Sequence, residues 1–124
     1  MNSPRKILLV DDDDVLRISV AEALESFEFE VIQAGSVLEA MDALRVRSSD
    51  WYALITDFCM PEIDGGELIK SVGEIGLHFD VIILMSGLEK TDAKLRQAFI
   101  KEVSFLKKPF GAEELLEVLK PTGT

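Results

Sequence analysis

The chain has 124 residues, enough to bury one substantial core and too few for a second domain of ordinary size. Its 23 acidic and 13 basic residues give a formal charge of -10, which phosphate backbones and anionic lipid would repel, so direct nucleic-acid or membrane binding is not expected. The single cysteine, Cys59, excludes an internal disulfide and a thiolate zinc cluster; with no bilayer-length apolar stretch and no signal-peptide pattern, the expected compartment is the cytoplasm.

Ile7-Leu8-Leu9-Val10 reads as a short buried strand, and it ends in four consecutive carboxylates, Asp11 to Asp14. A protein interior does not tolerate such charge uncompensated, so the acids are expected at the strand's end. Leu16, Val20, Ala23, Leu24 and Phe27 then share one helical face, with Arg17 and Glu22 outside it and an aspartate as N-cap. Val31 to Ala34 reads as a second strand. Gly35-Ser36 breaks it, and Val37, Ala40, Met41 and Leu44 mark a second helix, capped by Ser36 and closed by Arg45 and Arg47.

Tyr52 to Thr56 reads as a third strand that stops at Asp57, before a loop broken by Pro61, Asp64, Gly65 and Gly66. Leu68, Ile69, Val72 and Ile75 define a third helix ending around Gly73 to Gly76. Val81 to Met85, the most continuously apolar strand, is expected at the centre of the sheet and runs into Ser86-Gly87. Leu95, Ala98 and Phe99 indicate a fourth helix, and Val103 to Leu106 a fifth strand terminated by Lys107-Lys108-Pro109. Ala112, Leu115, Leu116 and Leu119 mark a fifth helix. Residues 1–120 are read as one domain, and 121–124 as a tail or the start of a linker.

Strands alternating with helices at this density require an α/β domain, a doubly wound parallel sheet with helices on both faces and right-handed crossovers. The functional crevice of such a sheet lies beyond the carboxyl ends of its strands. Those ends carry Asp11-Asp12, Asp57, Ser86 and Lys108. Two carboxylates about 4 Å apart at an effective dielectric near 20 repel by about 4 kcal/mol. Packed acids must therefore spread, bind protons or share a cation. So few oxygen ligands suit a hard cation that keeps some of its waters, magnesium over calcium. A calcium loop starting at Asp11 fails because Val15 and Leu16 stand where an oxygen ligand and a glycine are needed. The plain alternative, that the acids cap and charge a helix start, is assigned to Asp13 and Asp14.

The run Ile7 to Asp12, the segment Ile55-Thr56-Asp57-Phe58-Cys59-Met60-Pro61 with Asp64-Gly65 beyond it, Ser86, and Lys108-Pro109-Phe110 together resemble the response regulator receiver domain of two-component signalling. The resemblance covers essentially the whole chain and implies a flavodoxin-like (βα)5 domain with strand order 2-1-3-4-5. It implies that Asp57 is the phospho-acceptor, taking a phosphoryl group from the phosphohistidine of a histidine kinase or a histidine phosphotransfer protein. It further implies Mg2+, replaceable by Mn2+, held by Asp12 directly, by Asp11 partly through water, by Asp57 and by the backbone carbonyl of Cys59. Lys108 would pair with a phosphate oxygen or, before phosphorylation, with Asp57.

Ser86 and Phe105 match the switch positions, through which the face of helix four, strand five and helix five is remodelled towards an output domain or a second copy. Such a domain is not an enzyme in the usual sense; it catalyses only its own phosphorylation and dephosphorylation. Lys101-Glu102, where a glycine usually ends helix four, and Asp80, where proline is common, depart from the pattern. Two other readings use the same residues. A pseudo-receiver would bind partners without being phosphorylated. A haloacid-dehalogenase-like phosphohydrolase would use Asp11-x-Asp13-x-Val15, yet needs a late acidic pair where Ser86 and Lys108 stand. His78 is assigned no role, and Lys107 is expected to face solvent.

Overall fold

Alternation along each apolar run decides which residues face which layer of the sheet. The computed structural model describes residues 4–46, 51–87 and 103–120. Arg47, the expected fourth helix with Leu95, Ala98 and Phe99, Lys101-Glu102 and the tail 121–124 lie outside the described residues. The elements are β1 (Lys6–Val10), α1 (Asp14–Ser26), β2 (Glu30–Ala34), α2 (Val37–Val46), β3 (Trp51–Asp57), α3 (Gly65–Glu74), β4 (Val81–Ser86), β5 (Val103–Lys107) and α4 (Ala112–Leu119). The helix here called α4 is the fifth one expected from the sequence.

All strand pairs are parallel, in the order β2-β1-β3-β4-β5, as expected for a doubly wound α/β domain. Leu8, Val10, Leu54 and Leu84 face α2 and α3, where they meet Ala40, Leu44, Leu68 and Val72. Ile7, Leu9, Ile55 and Ile83 point the other way, against Val20 and Leu24 of α1 and Leu115 and Leu119 of α4. Each fully buried leucine or isoleucine contributes about 1.5–3 kcal/mol relative to exposure, so both faces of the sheet hold the fold together.

Three helix starts are fixed by side chains. Asp13 accepts from the Leu16 amide at 3.1 Å, Ser36 from Glu39 at 3.1 Å, and Asp64 from Glu67 at 2.9 Å. The caps at Asp13 and Asp64 close the loops that follow the acids Asp11, Asp12 and Asp57.

Four sequence expectations are corrected. The central strand is β3, buried over its whole length, while β4 lies one place further out. The apolar run of β4 reflects pairing on both edges and cover on both faces, which β3 shares although it ends in Thr56 and Asp57. β3 also begins one residue early, and its register with β1 shifts so that Lys6 pairs Trp51 while Ile7 pairs Ala53. That bulge at Tyr52 sends Trp51 to the α2/α3 side and Tyr52 to the α1/α4 side. Phe27 and Ile75, expected on inner helix faces, are C-cap residues and are exposed. Finally, the Arg17 side chain is only 14% exposed, folded back against the end of β1.

Candidate functional site

Parallel pairing brings every strand's carboxyl end to one rim. Val10 pairs Thr56, Asp57 pairs Met85, Met85 pairs Leu106, and Ser86 pairs Lys107. Asp57 and Ser86 within those pairs, and Asp11, Asp12 and Lys108 just past them, therefore share one edge despite their separation in sequence. Asp11, Asp57 and Ser86 are buried, Asp12 is exposed, and Lys108 is half-buried.

Lys108 Nζ stands 2.9 Å from Asp57 Oδ1 and 3.3 Å from Asp11 Oδ2, bridging two buried carboxylates with one ammonium. Asp11 Oδ1 accepts in addition from the Asp13 amide at 2.9 Å. One carboxylate oxygen from each of Asp11, Asp12 and Asp57 lies within 4.8 Å of the others. Three hard oxygen donors at that spacing, with the Lys108 ammonium beside two of them, fit a small divalent cation.

The backbone around Asp57 is pinned from both sides. The Phe58 amide donates to Met85 O at 2.9 Å, the Gly65 amide returns to Phe58 O at 3.0 Å, and the Thr56 hydroxyl donates to Asp57 O at 3.0 Å. A Cβ on Gly65 would lie 2.2 Å from Asp57 O, so only glycine lets α3 start this close to the strand end. Across the rim, the Lys108 amide donates to Ser86 O at 2.9 Å, and the Lys108–Pro109 peptide is cis. Cys59 is exposed; Phe105 is half-buried against the α2/α3 cluster. Lys107 is exposed, and His78 pairs with Asp80 at 3.0 Å on the surface.

Residues 7–120 match the family model described as the response regulator receiver domain. The chain belongs to that family. The receiver domain is 33% identical over 117 residues to a chemotaxis protein CheY homolog of Campylobacter jejuni, covering 93% of this chain and 89% of that protein. It is 36% identical over 112 residues to the transcriptional regulatory protein CrdR of Helicobacter pylori, covering 90% of this chain and 51% of the relative. With the sensor kinase CckA of Brucella abortus it shares 29% over 114 residues, 92% of this chain and 12% of the relative. The chain thus spans about half or less of the length of several relatives. Among solved structures, the chemotaxis protein CheY4 of Vibrio cholerae superposes with a TM-score of 0.80 at 26% identity, over 94% of this chain and 96% of that one.

Electrostatics mark Asp57 and Lys108 as a coupled pair within the receiver domain. Burial pushes the Asp57 carboxyl above its ordinary value; the hydrogen bond and charge of Lys108 oppose this, and the charges of Asp11 and Asp12 add to it. Burial alone would lower Lys108, but the hydrogen bond and charge of Asp57, then those of Asp11, outweigh it and hold the ammonium above its ordinary value.

Two residues of the rim have contacts there that the sequence reading does not assign to them. Gly65 enters the sequence reading as a break in the loop after Asp57 and as part of the Asp64-Gly65 motif, with no signal that it lies against the Asp57 carbonyl. Arg17 was placed outside the helix face because it is charged. Its spacing of three and four from Val20 and Ala21 was the available signal that it lies on the buried side. Among the described residues no helix is long and apolar enough to cross a membrane.

Proposed function

We propose that this receiver domain accepts a phosphoryl group on Asp57 from the phosphohistidine of a histidine kinase or a histidine phosphotransfer protein. The observation that carries the reading is the contact of Lys108 with both Asp57 and Asp11 beside the exposed Asp12. An Asp57 carboxylate oxygen attacks phosphorus, the P–N bond breaks with its electron pair going to the departing imidazole, and an acyl phosphate remains on Asp57. Phosphoryl transfer of this kind needs positioning and charge stabilisation more than covalent help from the protein.

Asp12, Asp57, the backbone carbonyl of Cys59 and, through water, Asp11 would hold Mg2+, or Mn2+ in its place. Bound there, the cation would offset the repulsion between the carboxylates and the incoming phosphate. Lys108, already at Asp57, moves its ammonium onto a phosphate oxygen. The Ser86 hydroxyl donates to another, and Phe105 packs deeper. The outcome is a changed surface on β5, α4 and the fourth predicted helix, read by an output domain or a second copy. New charge-assisted bonds bias a two-state equilibrium that exists before phosphorylation.

Incubation with acetyl phosphate and Mg2+, followed by intact mass measurement, tests this reading. The expected result is one added phosphoryl group, absent without the metal and absent in Asp57→Ala. Absence of labelling in the native chain by both acetyl phosphate and phosphoramidate would contradict it and favour a pseudo-receiver.

A further inference from the structure

We infer that Arg17 is a positioning residue for the cation site, fixing the peptide plane that joins Asp11 to Asp12; this rests on the metal-binding reading proposed above. Arg17 sits in the first turn of α1 but reaches back over the end of β1. Its Nη1 donates to Asp11 O at 2.8 Å and lies 2.8 Å from Asp14 Oδ1, and its Nε donates to Gln33 Oε1 on β2 at 3.1 Å. One guanidinium thus ties the turn after β1 to the sheet edge and to its own helix.

The carbonyl it grips belongs to the peptide between the two acids. On the other side of Asp11, the amide donates to Ala34 O at 3.1 Å, so the backbone of this residue is held from both ends. A peptide unit is planar, and fixing its oxygen fixes the direction in which the next Cα leaves. The Asp11 carboxylate has its own restraints, from the Asp13 amide and Lys108. The exposed Asp12 takes its aim from the plane that Arg17 holds.

Room for the guanidinium is built in. A Cβ on Gly35 would come within 3.1 Å of Arg17 Nη1 and 3.3 Å of Glu39 Oε2, and the Gly35 amide is itself held by Glu39 Oε1 at 3.3 Å. A lysine would bring one compact charge without the planar fork needed to serve a carbonyl, a carboxylate and an amide oxygen together.

The sign of the metal affinity separates positioning from charge. Arg17 is a cation close to a cation site, so through-space electrostatics alone predicts that Arg17→Met tightens metal binding and that Arg17→Lys leaves it unchanged. Positioning predicts that both weaken it, by about tenfold, the low end for groups that orient metal ligands. Gln33→Ala, which frees one arm of the guanidinium, should weaken binding less.

The experiment is Mn2+ titration of the full chain, following the electron paramagnetic resonance signal of free Mn2+. Each variant is held well below its own unfolding temperature, with Asp12→Asn as the reference for a lost ligand. Weaker binding in both Arg17 variants supports the inference; if Arg17→Met does not fold, the charge-retaining Arg17→Lys and the surface variant Gln33→Ala carry the test. Unchanged or tighter binding in the folded Arg17 variants, with Asp12→Asn impaired, would overturn the role of Arg17 alone. No saturable binding by the native chain would overturn the metal site and this inference together.

Discussion

At the amino ends of the strands, the Tyr52 hydroxyl donates to the Leu119 carbonyl in the last turn of α4, the Arg5 guanidinium lies over the Tyr52 ring, and Phe29 stacks on it. At the carboxyl ends, Asp11, Asp12 and Asp57 converge where Lys108 contacts two of them. The first set matches donor to acceptor and cation to ring. In the second, the Lys108 ammonium contacts two of three clustered carboxylates, which leaves a surplus of negative charge that a divalent cation could offset. One end of the sheet closes the fold; the other carries an electrostatic imbalance.

Lys108→Met should separate the two ends most widely. Removing the ammonium takes away a donor aimed at developing charge, and labelling by acetyl phosphate should slow about 100-fold. Without Mg2+ the variant should also lose stability, up to about 3 kcal/mol, because Asp57 and Asp11 lose their counter-charge. Mg2+ should restore much of that loss, which paired urea unfolding curves with and without the metal would show. A labelling rate equal to the native one would contradict the part given to Lys108.

Tyr52→Phe at the opposite end should cost about 1–3 kcal/mol by leaving the Leu119 carbonyl without its donor. Here Mg2+ should recover nothing of the deficit specific to the variant, and the labelling rate per folded molecule should match the native chain. A Tyr52→Phe protein with slowed labelling would break the division of labour between the ends.

The smallest effect expected is on pH dependence. The Asp57 pKa is raised by burial, with Lys108 opposing and Asp11 and Asp12 adding, so the folded state binds this proton more tightly than the unfolded chain. Its contribution to stability is present below the ordinary value of 3.8 and is lost as pH rises through the raised value. Lys108, raised by Asp57 and Asp11 against the larger single effect of burial, contributes stability fully present below 10.5 and lost as pH rises through its folded value. Metal-free melting curves should therefore show an Asp57-dependent loss of stability beginning above pH 3.8, absent in Asp57→Asn. A stability gain from Asp57 over the same window would give the opposite sign.

Much of this contrast was legible in the sequence. Apolar runs broken by Asp11, Asp57, Ser86 and Lys108 mark strand ends, and a parallel sheet leaves one edge for them to share. The amino end was not legible in the same way. The bulge that leaves Tyr52 on the same face as Ala53, and so exchanges the faces Trp51 and Tyr52 would otherwise take, depends on how β3 pairs with β1, which neither strand's own pattern reveals. The centre of the sheet was misplaced for a similar reason: an uninterrupted apolar run reports cover on both faces, and β3 has that cover although it ends in Thr56 and Asp57. Arg17 shows a further limit. A charge is ordinarily read as a solvent-facing residue, yet the Arg17 Nη1 and Nε are engaged by Asp11 O, Asp14 and Gln33 at the end of β1.

The most direct measurement is the position of the phosphoryl group. After incubation with acetyl phosphate and Mg2+, borohydride reduction of an acyl phosphate converts the modified aspartate to homoserine, which peptide mass spectrometry locates. Homoserine at position 57 alone is the predicted result. Modification at Asp11, Asp12 or Asp13 with position 57 untouched would contradict the assignment of the acceptor and turn attention to the strand-one acids as the nucleophile.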